Sequence, residues 1–179
     1  MQRAVTRSAA AAAAALVSVP AIADYDVGFQ LSGPGGNAIE QNYELEGALV
    51  GGVIDVTFDN QGGWTWAGDL LIGFVDPNGN AAEFGGYDLS FGFPTAGDFP
   101  SSWDTSVSGV YSYAFSLEDS GLSGSGNWTI MFADGYSSGE ATDQWDGVIR
   151  LEGLEAVPAP GALALLGIAG LAGRRPRRS

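Results

Sequence analysis

The chain has 179 residues, with 21 acids against seven arginines, no lysine, no histidine and no cysteine, for a formal net charge of −14. Those absences exclude Ser-His-Asp and Cys-His nucleophiles, imidazole zinc sites, Schiff-base lysines, phosphate-cradling Gly-Lys loops and disulfides. The acid excess repels nucleic acid phosphates and anionic lipid, so neither is expected as a partner.

At the N terminus Arg3 and Arg7 form a basic region and residues 9–17 an apolar one. Ala21-Ile22-Ala23 supplies a small-residue cleavage site for signal peptidase, so the mature chain is expected to start at Asp24. With residues 1–23 read as a signal peptide, residues 24–156 remain as one domain. All 21 acids fall within it and Arg150 is its single base, a formal balance of −20. Solubility or salt tolerance, divalent-cation binding and disorder are the usual readings of such acidity. Five Trp, six Tyr and nine Phe exclude disorder, because they are far more buried-type surface than an unfolded acidic tail carries.

Strand periodicity runs through this domain. Ile54, Val56 and Phe58 alternate with Val53, Asp55 and Thr57, and Leu70, Ile72 and Phe74 alternate with Leu71, Gly73 and Val75. Further strands are predicted over 27–31, 39–45, 87–91, 110–117, 128–133 and 148–154. Turn clusters are predicted over 32–37, 60–63, 76–80 and 123–127. Eight or nine short strands separated by Gly-rich turns predict an all-β, antiparallel β-sandwich. Trp66, Leu70 and Ile72, with Trp128, Ile130 and Phe132, are expected as inward-facing rows of two central strands.

Thr65-Trp66-Ala67-Gly68-Asp69-Leu70-Leu71-Ile72 leads into Val75-Asp76-Pro77-Asn78-Gly79. Further on come Gly126-Asn127-Trp128-Thr129-Ile130-Met131-Phe132-Ala133-Asp134 and Asp143-Gln144-Trp145. In this order the segments resemble the signatures of proprotein convertase P domains. That resemblance implies a jelly-roll sandwich of galactose-binding-like form, often with structural Ca²⁺, and points to Asp69, Asp134 and Asp143 beside strand ends as its ligands. A domain without His or Cys offers a cation only oxygen, which suits Ca²⁺. The other reading of these three acids is solvated loop residues. Asp76, Asn78 and Asn80 have the spacing that opens a calcium loop, but Ala81 replaces the sharp-turn glycine and no Glu follows at the twelfth position, so a hairpin turn is expected.

Only carboxylate chemistry is left for catalysis. Asp104-Thr105-Ser106 and Asp119-Ser120-Gly121 resemble aspartic-protease loops superficially but stand too close together for two lobes, and are read as turns. With no base beyond Arg150 to clamp a substrate, the domain is expected not to be an enzyme. Trp64 and Trp103, with Tyr87 and Tyr136, fall near predicted loops or strand ends. They serve either as a platform stacking on extracellular polysaccharide or as core.

The chain closes with Val157-Pro158-Ala159-Pro160, an apolar run from Gly161 to residue 173, and the basic cluster Arg174, Arg175, Arg177 and Arg178. Thirteen apolar residues fall short of the ~20 that a spanning helix usually needs, and the arginines would remain cytoplasmic. This three-part order resembles the sorting signal of PEP-CTERM proteins, with Ala159 where that family usually has Glu. The resemblance implies an exosortase-like transpeptidase acting within 158–161, transient retention in the inner membrane, and delivery to the cell surface or extracellular matrix. An anchor that is never cut is the alternative. The expectation is therefore an exported, non-enzymatic surface protein with domains at 1–23, 24–156 and 157–179; a carbohydrate-binding or calcium-dependent adhesion module is the alternative.

Overall fold

The computed structural model describes residues 24–32, 37–62, 64–136 and 143–157; the signal peptide, the proline motif from Pro158, the apolar run and the arginine cluster lie outside the described residues. Eight strands follow in order: β1 (Asp24–Ser32), β2 (Ala38–Asp59), β3 (Leu70–Val75), β4 (Ala81–Gly85), β5 (Thr95–Gly97), β6 (Gly109–Ser116), β7 (Ser123–Asp134) and β8 (Gln144–Ala156). They form one sheet in the order β1-β8-β2-β7-β3-β4-β5, with β6 paired to β2. Every pairing is antiparallel except β4 with β5. The expected all-β, largely antiparallel class is therefore present. No helix among the described residues is long and apolar enough to cross a membrane.

The two strands predicted over 39–45 and 53–58 are one strand, β2, which serves three partners. Its first half pairs with β7 and its second half with both β6 and β8, and the register against β8 shifts between Gly47 and Gly51. Side chains are excluded at this bend: a Cβ on Gly47 would stand 2.0 Å from the Gly153 carbonyl oxygen, and Gly47 has φ of 133°. A backbone that only glycine accepts thus lets one strand turn and exchange its neighbours.

The bend brings strands with no ladder in common face to face. Phe29 of β1 stacks on Phe132 of β7 with centroids 4.1 Å apart, and Phe74 of β3 meets Phe115 of β6 at 6.2 Å. The core between them holds the alternating row Ile54, Val56 and Phe58, together with Leu70, Ile72, Trp128, Ile130, Trp145 and Ile149. At ~25 cal/mol per Å² of apolar area removed from water, this burial is the main term favouring the fold. The one ion pair among the described residues, Arg150 to Asp26 at 3.3 Å, joins two exposed side chains on β1 and β8 and adds little.

Two sequence expectations fail for traceable reasons. Residues 87–91 are not a strand, because their N–H groups find other acceptors. Tyr87, Asp88 and Leu89 donate to the Gly135 carbonyl, and Phe91 donates to the buried Glu83 carboxylate. Residues 123–127 are not a turn but the opening of β7, where Gly124 pairs with Gly47 and Ser123 with Ala48. Asp76 ties this opening to the β3–β4 hairpin by accepting the Ser123 N–H at 3.1 Å. The hairpin itself falls at Asp76–Asn80 as expected, with the Asp76 and Asn80 backbones paired.

Candidate functional site

Three acids at strand ends come together. Leu70 faces Asp134 across β3 and β7, placing Asp69 beside it; Asp143 precedes Gln144, which faces Asp59 at the far end of β2, and lies within electrostatic reach of Asp69 and Asp134. Asp69, Asp134 and Asp143 are all buried, and each restrains a different loop. Asp69 accepts the Trp66 N–H at 2.7 Å, Asp134 accepts the Tyr136 N–H at 3.0 Å, and Asp143 accepts the Gln61 N–H at 2.7 Å. The Oδ2 atoms of Asp134 and Asp143 are buried without a hydrogen-bond partner, an arrangement that costs free energy for an ionised carboxylate.

Electrostatics reflect that burial. Burial pushes the Asp69 carboxyl up to about 6, with the charges of Asp88, Asp104 and Asp143 adding to it and the Trp66 N–H opposing it. Burial likewise pushes Asp134 up to about 7, helped by Asp69, Asp143 and Asp88 against the Tyr136 N–H. Asp69, Asp134 and Asp143 thus lie within electrostatic reach of one another, and among the described residues no group of three acids is placed to hold a metal ion.

At Asp69 opens a cleft of about 150 Å³, lined also by Trp64, Trp66, Tyr87 and Tyr136. Trp64 is 81% exposed, Tyr87 71% and Trp66 42%, so three rings present their faces to solvent. Tyr87 and Tyr136 stand 6.1 Å apart at an interplanar angle of 51°. Trp66, Asp69 and Tyr87 also line an adjoining furrow of about 410 Å³, with Gly68, Gly86, Asp98, Phe99, Ser101 and Asp104. Gly135 fixes the two sides of the cleft to each other. Its N–H donates to the Asp69 carbonyl at 2.7 Å, and a Cβ there would stand 2.6 Å from both that oxygen and the Gly86 Cα.

The two tryptophans named for stacking part company. Trp64 stands in the cleft wall, as a platform requires. Trp103 takes the other reading, core: it is 3% exposed, stacked on Phe99 at 4.4 Å and packed against Tyr111 and Tyr113. A correction the opposite way applies to Trp66, expected in an inward row and found in the cleft. A period-two signal could have placed it, because Trp64 and Trp66 flank Thr65 and successive residues of extended chain face opposite ways. Thr65 is the buried one.

Asp76, the other candidate cation ligand, is occupied by its own turn. Burial raises its pKa, but the Asn80 side chain and the N–H groups of Ser123, Asn80 and Asn78 outweigh that and hold it below the ordinary value.

No family model matches the chain, and no curated protein matches it. Among solved structures, a chain of the infectious bursal disease virus Gx strain is similar over 85% of this chain at 14% identity, with a TM-score of 0.16. This chain spans about half of the viral chain, 48% of its length.

Proposed function

We propose that the protein is an exported, non-enzymatic surface or matrix protein whose folded domain binds carbohydrate at the aromatic cleft. The cleft carries this reading: Trp64, Trp66, Tyr87 and Tyr136 line it together with Asp69. Exposed aromatic faces pack on the apolar faces of sugar rings, and a carboxylate accepts hydroxyl hydrogen bonds. Support for a two-layer jelly-roll sandwich comes from the ring contacts between β1 and β7 and between β3 and β6.

Export rests on the two ends of the sequence. The basic and apolar N-terminal regions with Ala21-Ile22-Ala23 support handling by signal peptidase. The order of Pro158-Ala159-Pro160, apolar run and arginine cluster supports handling by an exosortase-like transpeptidase after brief retention in the inner membrane. Mass spectrometry of the native C terminus is expected to find it cut within 158–161, and an intact arginine cluster on surface-exposed protein overturns the sorting reading. On a glycan array the purified protein is expected to bind a set of polysaccharides and Trp64→Ala to lose them. Binding of nothing, or unchanged binding by the variant, overturns the carbohydrate reading.

A further inference from the structure

The cleft combines two features that a neutral sugar uses only in part. Four aromatic rings line it together with Asp69, whose carboxylate is within electrostatic reach of Asp88, Asp104, Asp134 and Asp143. The adjoining furrow adds Asp98. Arg150 is the one base among the described residues, and it is paired with Asp26. From the quadrupole of the rings and the field of the acids, we infer that this cleft is a cage for an alkylammonium group, the cationic head of its ligand. This deepens the carbohydrate reading and rests on it for the identity of the site.

Size points the same way. Ordinary small-molecule pockets start at roughly 300 Å³, so a cleft of about 150 Å³ takes a head group and leaves the rest of the ligand to the furrow. Aromatic faces attract a cation lying within roughly 6 Å of their centroids, and the attraction strengthens as water is displaced. Trp66 and Tyr87 line both compartments, so they touch the ammonium on one side and the body of the ligand on the other. An anionic sugar is rejected by the same field. An ammonium of this kind can come from a choline-type head group or from an amino sugar. Both share the chemistry, and the experiment separates them.

Calorimetric titration of the purified protein compares choline with its uncharged isostere 3,3-dimethyl-1-butanol, and a glucosamine hexamer with its N-acetylated counterpart. At least one cationic probe is expected to bind tenfold or more tightly than its neutral partner, and to weaken in 0.5 M salt. Trp64→Ala and Tyr87→Ala, both at exposed positions, are expected to reduce that affinity at least fivefold while leaving thermal unfolding unchanged. Preference for choline with neither hexamer bound keeps the cage and removes the carbohydrate reading. Preference for the glucosamine hexamer keeps both. If neither cationic probe exceeds its neutral partner, or if no probe binds, the cage is overturned. The carbohydrate reading then survives only if a neutral hexamer binds and Trp64→Ala abolishes it.

Discussion

The buried acids by the cleft should make this domain more stable in mild acid than at neutral pH. Asp69 holds its proton up to about pH 6 and Asp134 to about pH 7, against an ordinary value of 3.8 for each. Between those limits the folded chain binds protons that the unfolded chain has released, so stability falls as pH rises. The contribution is fully present below about pH 3.8 and is lost as pH climbs through about 6 and 7. At ~1.4 kcal/mol per pH unit, the two carboxyls taken singly give about 3 and about 4 kcal/mol. They are coupled, so roughly half of the sum, about 3.5 kcal/mol, is expected as an upper figure across pH 4.5 to 7.5.

Urea unfolding followed by tryptophan fluorescence measures this, in 0.5 M NaCl to screen the surface acids. Asp134→Asn keeps an acceptor for the Tyr136 N–H and removes the larger of the two titrations. The variant should lose about half of the pH slope and exceed the parent in stability at pH 7.5 by about 1–2 kcal/mol. A flat parent profile, or an unchanged slope in the variant, would refute the account of these carboxylates.

Three further outcomes follow from the packing and the cleft. Trp103→Ala should cost about 3–5 kcal/mol in urea unfolding, as a core deletion does, while Trp64→Ala stays within about 0.5 kcal/mol; equal costs would return Trp103 to the surface. Gly135→Ala forces a methyl group against the Asp69 carbonyl and Gly86, and should lower the melting temperature by roughly 5–10 °C and abolish ligand binding at the cleft. Binding of a cationic probe should weaken as pH falls below about 6, because Asp69 then gains a proton and no longer attracts it; an affinity constant from pH 7.5 to 5 would remove Asp69 from the site.

Alternation made much of the core legible. Ile54, Val56 and Phe58 point inward and Asp55 and Thr57 do not, because a period of two on a half-buried strand leaves little choice of face. The same pattern misled at 87–91, where apolar and aromatic residues match a strand but Gly135 and Glu83, distant in sequence, take the N–H groups that a ladder would need. β4 was missed because Ala81-Ala82-Glu83 has low strand propensity; the hairpin holds it beside β3 and supplies what its composition lacks. Of the site, the acids at strand ends and Trp64 could be named from sequence. Their convergence could not, since the ladders set Asp134 at the Ala38 end of β2 and Asp143 at its Asp59 end, and it is the bend near Gly47 that brings those ends together.

β8 lies between β1 and β2 although it is the last strand of the chain, and β1 has no other ladder partner among the described strands. Asp24 therefore waits for Glu152, and the second half of β2 waits with it on its β8 side. Such pairing, between the two ends of a domain, makes folding slow and late. The sheet cannot close before its final strand is available. The apolar run starts only a few residues past the end of β8. A pull on that part of the chain would bear first on the strand that completes the sheet.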